Sequence, residues 1–255
     1  MEKIVIVGCW FLPNRVFTVE LLRSFYKDAT IVGYDDFNTG ADICGYDKLM
    51  AFIKNNKDKQ IYYYETDDGN IQKFWDFKQD NFKLIHTDSL LGKKQFSKTE
   101  QFKFLEMRMP EILPEHQFLE SGWLLKEGVS SGGRKNFEMT DDCMLVKKID
   151  AVRAWTITGV CHNGIVLDYE IGETEGIYWN SLSTWISYGK DVANPKIKEI
   201  YFNLAKHLNI DGIADCELLE TANGELLLTE CNFRPNVTNI IHFNDGVKKY
   251  LEVRG

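Results

Sequence analysis

Near its end the sequence contains two apolar segments separated by Asn223-Gly224, and this hairpin signal is the feature that most constrains the fold. An Asn-Gly dipeptide between alternating apolar residues is typical of a two-residue type I′ loop. With that loop, Ala222 faces Glu225, and counting outward fixes every further pair. The segment therefore predicts an antiparallel hairpin with a defined register.

Counting outward from this loop places Glu217 opposite Glu230 and Asp215 opposite Asn232. Like charges directly opposite each other in a ladder are destabilising. Two close carboxylates raise each other's pKa or need a cation between them, and oxygen ligands without His or Cys suit Mg²⁺. The two glutamates therefore indicate a metal site. The alternatives are a glutamate at a solvent-exposed edge or a register shifted by one residue.

Alternation along the second strand separates a polar face from an apolar one. Glu230, Asn232 and Arg234 occupy every second position and share one face. Arg234 is a candidate partner for phosphate or for developing negative charge, and the alternative is a salt bridge to a local acid. Cys216 and Cys231 lie opposite each other on the other face, where we expect core packing rather than a disulfide.

Composition limits the class of protein. The chain has 255 residues, enough for a sizeable core, and a net charge of −8 argues against a general nucleic-acid binder. The six cysteines include no CxxC pair, which is typical of reduced thiols in a cytosolic protein. The N-terminus reads as a strand rather than a signal peptide, and no segment has the length of a transmembrane helix.

The chain is predicted to contain two units of different architecture. "KIVIVG", a helical pattern and "ATIVGYDDF" form a βαβ opening, and alternating helix and strand patterns continue from there. We therefore expect an α/β unit with a parallel sheet over residues 1–88. Residues 89–255 combine hairpin strands with amphipathic helices, which predicts an α+β unit built on antiparallel sheet.

A Gly/Ser-rich segment is the second candidate for binding chemistry. In "LLKEGVSSGGRK", Lys126 ends an apolar strand and is followed by Ser131, Gly132 and Gly133. Small residues let the backbone approach phosphate oxygens, so the loop is a candidate phosphate cradle. The Arg-Lys pair that follows stands where a P-loop requires Lys and Ser/Thr, so that motif is excluded. The alternative is an ordinary hairpin turn.

These features together resemble the ATP-grasp superfamily. The resemblance consists of a strand, a lysine and a Gly-rich loop, followed later by an acidic hairpin that ends E-x-N-x-R, here "ECNFR". It covers residues 96–239. It implies a pre-ATP-grasp domain at 1–88 and an ATP-grasp domain at 89–255. The latter would divide into a lid-bearing subdomain at 89–145 and a metal-binding subdomain at 146–255.

The resemblance also implies how ATP is bound. Lys98, with Lys94 as a nearby alternative, is similar to the first lysine that contacts ATP. Lys126 is similar to the second, which contacts the α- or β-phosphate, and "SSGGR" is similar to the flexible loop that closes over the phosphates.

"MLVKKID" resembles the hinge that binds the base and the sugar. Here the backbone of Val146, Lys147 and Lys148 would bond adenine. Ile149 would pack on the ring, and Asp150 would reach the ribose. The segment departs from the commoner acidic pattern, because Val146 and Lys147 stand where Glu is often found.

The implied catalytic centre lies on the hairpin. Glu217, Glu230 and Asn232 match the Mg²⁺ ligands of the superfamily, and Arg234 matches the arginine that steadies the transferred phosphate. Arg153 begins a strand beside the hinge and is a candidate for binding the substrate carboxylate; the alternative is a surface arginine.

The implied activity is an ATP- and Mg²⁺-dependent ligation of a carboxylate to an amine, less often a thiol, through an acyl phosphate. The substrates would be small molecules or peptide ends, without nucleic acid or membrane. A homodimer is expected if the short N-terminal domain needs a second subunit to complete the acceptor site. Phosphoryl transfer to another acceptor and a non-catalytic nucleotide-binding module are the alternatives.

Overall fold

A computed structural model describes most of the second half of the chain and parts of the first. The described residues are 3–8, 23, 27, 30–33, 42–56, 60–65, 82–84, 87–119, 124–126, 136–138, 143–175, 184–187, 194–234 and 253.

The N-terminal strands form a five-stranded sheet. They are β1 (Lys3–Gly8), β2 (Thr30–Gly33), β3 (Ile43–Cys44), β4 (Gln60–Glu65) and β5 (Phe82–Leu84), with helix α1 (Tyr46–Asn55) between β3 and β4. The order is β3-β2-β1-β4-β5, and all four pairings are parallel. Ile31 and Val32 of β2 are fully buried, as parallel strands require. The helices predicted near residues 16–26 and 70–79 lie outside the described residues, Arg23 excepted.

The remaining elements come from the part of the chain predicted to form the second unit. Two helices pack there: α2 (Lys98–Glu106) and α3 (Pro195–Leu208), with short 3₁₀ segments at Gly92–Phe96 and Pro110–Ile112. The strands are β6 (His116–Phe118), β7 (Leu124–Lys126), β8 (Asn136–Glu138), β9 (Met144–Val146), β10 (Ala151–His162), β11 (Ile165–Glu175), β12 (Thr184–Ser187), β13 (Gly212–Thr221) and β14 (Leu226–Asn232).

Antiparallel pairing dominates this unit, as the sequence predicts. The main sheet has the order β12-β11-β10-β13-β14, and β14 is its edge among the described strands. Two short ribbons, β6-β9 and β7-β8, are also antiparallel. No helix within the described part of the chain is both long and apolar enough to cross a membrane.

Helix α3 covers one face of the main sheet. Asn194 caps its first turn and Pro195 occupies the first position, where a missing N–H costs nothing. Its apolar stripe is buried, and Tyr201 donates a 2.7 Å hydrogen bond to the Ala214 carbonyl of β13. The tyrosine ring lies over Gly159 of β10, where an added Cβ would stand 2.5 Å from the ring. Close approach of helix and sheet thus requires glycine there.

The core lies between this sheet face and the two helices. It takes the residues of β13 and β14 that alternate with the predicted ligands, together with buried side chains of the helices: Phe102, Leu105, Ile197, Leu204, Leu208, Cys216, Leu218, Leu228, Cys231 and Phe233. Cys216 and Cys231 are buried free thiols, which confirms the expectation of packing rather than a disulfide. The opposite face of the hairpin is therefore left for chemistry.

Candidate nucleotide and metal site

The last hairpin places the two glutamates as predicted. Glu217 of β13 faces Glu230 of β14, and Asp215 faces Asn232. These three carboxylates and the amide share one face of the sheet, because facing residues and every second residue along a strand point the same way. The predicted register of the two glutamates is confirmed.

The loop that closes this hairpin differs from the prediction. Thr221 N–H donates to the Glu225 carbonyl, and the N–H of Gly224 donates to the Thr221 carbonyl, each at 2.9 Å. The loop therefore contains three residues, 222–224, and of these only Gly224 has a positive φ, +76°. A type I′ loop would require positive φ at Asn223 as well, so that prediction was wrong.

A β-bulge restores the predicted register at the site. Near the loop, Leu219 pairs with Leu227 and Leu218 with Leu228, whereas Glu217 pairs with Glu230. Thr229 is thus the extra residue on β14, and its hydroxyl donates a 3.1 Å bond to the Glu217 carbonyl. The bulge compensates for the longer loop, so the glutamates still face each other.

The polar face extends onto β10. Thr156 pairs with Glu217, and Thr158 pairs with Asp215, so both threonines lie beside the acids on the same face. Both are at least 95% buried. Thr156 Oγ1 has no hydrogen-bond partner among the described residues. Buried polar side chains of β10 therefore lie next to the acidic pair.

Hydrogen bonds fix the orientation of Asn232. Its Nδ2 donates to Asp215 Oδ2 and to Glu230 Oε1, both at 3.2 Å. Its Oδ1 accepts a weak 3.5 Å bond from Arg234 Nη2. Because both amide hydrogens are directed at carboxylates, the amide oxygen is turned towards the side on which Arg234 lies.

Helix α2 brings a lysine to this face. Ser97 caps the helix by accepting from the N–H of Glu100 at 3.1 Å. Lys98, the first helical residue, forms an ion pair with Glu230 Oε2. The alternative lysine, Lys94, pairs instead with Glu100 at 2.7 Å on the surface. The lysine expected to contact ATP is thus held beside the predicted metal ligands.

The carboxylates have unequal pKa values. Burial, followed by the Glu230 charge, raises the pKa of Glu217 to about 7. Burial also raises the pKa of Asp215 to about 8, and the nearby Glu217 and Glu230 charges act in the same direction. Burial opposes ionisation of Glu230 too, but the Lys98 ammonium and the Asn232 amide outweigh it and hold this pKa below its ordinary value.

The donor set fits a hard cation such as Mg²⁺. Two carboxylates and an amide oxygen are ligands that Mg²⁺ accepts alongside water and phosphate. The buried Asp215 Oδ1 has no hydrogen-bond partner among the described residues, so it is an oxygen that a further donor could bond. Within the described ranges no group of three or more His, Cys, Asp or Glu side chains has the geometry of a complete metal site. A phosphate-bearing ligand would have to supply the remaining oxygens.

The predicted hinge lines a cleft of about 450 Å³. Lys147, Lys148, Ile149 and Asp150 form one wall, and residues 113–115 and the loop side of the last hairpin form the others. Lys147 is anchored there because its N–H donates to the Glu115 carbonyl at 2.8 Å. Val146 ends β9 beside this wall, and its side chain is exposed.

The cleft and the acidic pair lie on the same hairpin at different distances from its loop. Thr221 lines the cleft, four residues along β13 from Glu217. At roughly 3.3 Å per residue this separation is about 13 Å. An extended nucleoside triphosphate spans a comparable distance, with its base at one end and its terminal phosphate at the other.

Other predicted site residues lie elsewhere. Arg153 pairs with Glu220 of β13. Glu220 and Glu217 are an odd number of positions apart on this strand, so their side chains point to opposite faces. Arg153 therefore lies on the face of the sheet opposite the predicted metal ligands. Its Nε lies 3.8 Å from Glu173 Oε1. Lys126 is the last residue of β7, but its side chain and the loop with Ser131, Gly132 and Gly133 lie outside the described residues.

Sequence reasoning did not single out two features of the site. The Thr229 bulge has no composition signal. The other feature is Gln101, a polar residue on the buried side of α2, where Phe102 and Leu105 are also buried. A polar residue among the buried positions of an amphipathic helix is the sequence signal that points to Gln101.

Comparisons with known proteins identify the fold. No family model matches the chain, and no curated protein matches it. Among solved structures, it is similar to N5-carboxyaminoimidazole synthase from Aspergillus clavatus in complex with ADP and 5-aminoimidazole ribonucleotide. The TM-score is 0.64 at 13% identity, over 98% of this chain and 77% of that one.

Two further solved structures agree. Pyruvate carboxylase from Rhizobium etli gives a TM-score of 0.71 at 13% identity, over 99% of this chain and 27% of that one. A protein from Archaeoglobus fulgidus assigned to the ATP-grasp superfamily gives 0.62 at 11% identity, over 94% and 83%. The chain therefore has the ATP-grasp fold, and the resemblance stated from its motifs is confirmed at the level of fold.

Proposed function

We propose that this chain is an ATP- and Mg²⁺-dependent ligase that joins a carboxylate to an amine, or less often a thiol, through an acyl phosphate. The observation that carries the proposal is the pairing of Glu217 with Glu230, beside Asn232 and Arg234, on one face of a hairpin in an ATP-grasp fold. That a solved structure with this fold binds ADP and a small amine-bearing ribonucleotide supports it.

The nucleotide would lie along the last hairpin. Adenine would enter the cleft that Lys147, Lys148, Ile149 and Asp150 line. Backbone groups of Val146, Lys147 and Lys148 would bond the base, Ile149 would pack on it, and Asp150 would reach the ribose. The phosphates would extend towards Glu217. Other residues would hold them through an ammonium group or backbone N–H groups: Lys98, Lys126, Ser131, Gly132 and Gly133.

Glu217, Glu230 and Asn232 would hold the Mg²⁺. When bound, the cation neutralises charge on the phosphoryl group during its transfer. Arg234 would orient the same group through its guanidinium, and its contact with Asn232 Oδ1, beside the predicted ligands, supports this role. Asp215 would orient Asn232 by accepting from its Nδ2.

The reaction would proceed in two substitutions. An oxygen of the substrate carboxylate attacks the γ-phosphorus, which forms the acyl phosphate and releases ADP. The amine then attacks the acyl carbon, phosphate leaves, and the amine loses a proton. In this scheme the role predicted for Arg153, binding of the substrate carboxylate, is the one that its position does not support.

Residues 1–88 would act as the pre-ATP-grasp domain and contribute to the acceptor site. Since this domain is short, a second copy of the chain would complete that site in a homodimer. We expect a cytoplasmic enzyme that acts on small molecules or peptide ends, without nucleic acid or membrane as a substrate.

One observation favours a non-catalytic module as the second candidate. The Lys98 ammonium already neutralises Glu230, so the face can satisfy part of its charge without a metal. Calorimetry separates the two candidates, because a ligase must bind ADP more tightly in Mg²⁺ than in EDTA. Equal binding in both conditions would exclude the ligase.

Hydroxylamine trapping tests the reaction class. The protein is incubated with ATP, Mg²⁺, hydroxylamine and a panel of amino acids and other small carboxylates. A ligase should yield a hydroxamate and ADP with one of them, because hydroxylamine replaces the amine at the acyl carbon. ADP release with a phosphorylated product and no hydroxamate would indicate phosphoryl transfer to a different acceptor. A Glu230→Gln variant is the matched control and should release no ADP above background.

A further inference from the structure

A buried glutamine links the helix that carries Lys98 to the strand that carries the predicted metal ligands. Gln101 lies one turn along α2 from Lys98, and it is 98% buried. Its Oε1 accepts from the Cys231 N–H at 3.2 Å, and its Nε2 donates to the Cys231 carbonyl at 2.9 Å. The Nε2 also donates to the Gln95 carbonyl at 2.6 Å.

This pattern imitates a neighbouring strand. Among the described strands, β14 forms the edge of the main sheet, so the outer side of its backbone has no strand partner. An unpaired edge is prone to slip or to pair elsewhere. The side-chain amide of Gln101 has the donor and acceptor of a peptide group, and it pairs with both polar groups of Cys231. It therefore holds the edge at one residue.

The residue held in this way lies between two predicted ligands. Cys231 is flanked by Glu230 and Asn232, whose side chains point to the ligand face. Fixing the Cys231 peptide fixes the directions in which both side chains leave the backbone. The Thr229 bulge immediately before them makes this control necessary, because a bulged strand has lost regular ladder bonds at that point.

We propose that Gln101 is a positioning residue for the cation site, which it orients by clamping β14 at Cys231. It does not touch the cation or the nucleotide. It also sets the distance between the Lys98 helix and Glu230, since one amide bonds both the strand and the segment before the helix. This inference rests on the proposed function, and partners that orient metal ligands in this way typically affect affinity strongly.

Gln101→Met tests the proposal, because methionine matches the length and flexibility of glutamine and lacks its amide. ADP is titrated calorimetrically into the full chain over a series of Mg²⁺ concentrations and in EDTA. We expect the Mg²⁺ concentration for half-maximal enhancement of ADP binding to rise about 10-fold or more. ADP affinity in EDTA should change much less than the Mg²⁺ dependence, whereas a general loss of structure would lower both.

Gln95→Met is the matched control. Gln95 is also a buried glutamine, but its side chain bonds the Thr87 carbonyl and the Ser89 hydroxyl rather than β14. It should lower thermal stability and retain the parental Mg²⁺ dependence. Equal Mg²⁺ shifts in both variants, or a parental value in Gln101→Met, would overturn the proposal.

Two further results are decisive. If Gln101→Met does not fold, Gln101→Glu replaces it: the carboxyl still accepts from Cys231, and a smaller shift in the same direction is expected. No shift in that variant overturns the inference. If the parental chain shows no Mg²⁺-dependent ADP binding, the proposed function fails, and the inference fails with it; a Mg²⁺-dependent parent with an unaffected variant removes the inference alone.

Discussion

Two hairpins of the main sheet contain the same Asn-Gly dipeptide and close differently. In the β10–β11 hairpin, His162 pairs with Ile165 across a two-residue loop, and Asn163 and Gly164 have φ values of +48° and +78°. This is the geometry of a type I′ loop. In the β13–β14 hairpin the loop has three residues, and only its glycine has a positive φ. The dipeptide alone does not determine the loop.

Tertiary contacts account for the first hairpin and a local side chain for the second. Gly164 donates to the Ile210 carbonyl at 2.8 Å, and an added Cβ would lie 3.2 Å from the Ala205 carbonyl oxygen of α3. Gly224 has no heavy atom within 4 Å of an added Cβ. There the Thr221 hydroxyl accepts from the Glu225 N–H at 3.2 Å, which stabilises the longer loop. The first loop is held by contacts with the rest of the fold, whereas the second is held by the side chain of Thr221 next to it.

Removing a carboxylate from the second hairpin should have the largest effect. Glu230→Gln is expected to lower Mg²⁺-dependent turnover by about 100-fold or more, since even partners of metal ligands cost about 10- to 100-fold. Steady-state ADP release measures it, and circular dichroism should show an unchanged fold. Glu199→Gln, an exposed neutralisation on α3, is the control. If Glu230→Gln turned over at the parental rate, Glu230 would not be a metal ligand.

The next-largest expected effect is a difference in kcat between two arginine variants, one near each hairpin. Arg234→Ala is expected to lower kcat by about 100-fold, the cost of removing one preorganised donor to developing charge. Arg153→Ala should change kcat by less than about 5-fold, because Arg153 lies on the face opposite the predicted ligands and its partly exposed ion pair with Glu173 contributes about 1 kcal/mol or less. A larger loss with Arg153→Ala than with Arg234→Ala would place the first hairpin in the active site and restore the role predicted for Arg153.

The sequence predicts which side chains of the last hairpin share a face better than it predicts the loop of that hairpin. Alternation in "ECNFR" fixes which side chains share a face, and this depends only on strand geometry. The opposition of Glu217 and Glu230 was derived from a loop that does not form, and it holds because the Thr229 bulge compensates. The bulge could not be predicted because it follows from a loop one residue longer than the Asn-Gly dipeptide indicates. The contact at Cys231 could not be predicted because Gln101 lies 130 residues away in the sequence.

Substitution of the loop glycines should destabilise the two hairpins to different extents. Gly164→Ala is expected to cost about 2 kcal/mol, because alanine resists positive φ and its Cβ would press on the end of α3. Gly224→Ala should cost only about 1 kcal/mol, since its surroundings are open. For a chain of this size the difference corresponds to a Tm gap of about 2–4 °C by calorimetry. Equal losses would mean that helix packing does not select the type I′ loop.

The smallest expected effect is a gain, and it distinguishes the two facing glutamates. Lys98 and Asn232 stabilise the charge of Glu230, whereas the charge of Glu217 is opposed by burial and by Glu230. Without a cation, Glu217→Gln should therefore raise stability by about 1 kcal/mol, a Tm increase of about 2–4 °C at pH 8.

Glu230→Gln should show no such gain, because it also removes the ion pair with Lys98. Saturating Mg²⁺ and ADP should reverse the order, since only the parental chain then gains stability from binding at the intact pair. If Glu217→Gln is less stable than the parent under both conditions, the two carboxylates do not repel each other. The case for a cation between them would then rest on the donor set alone.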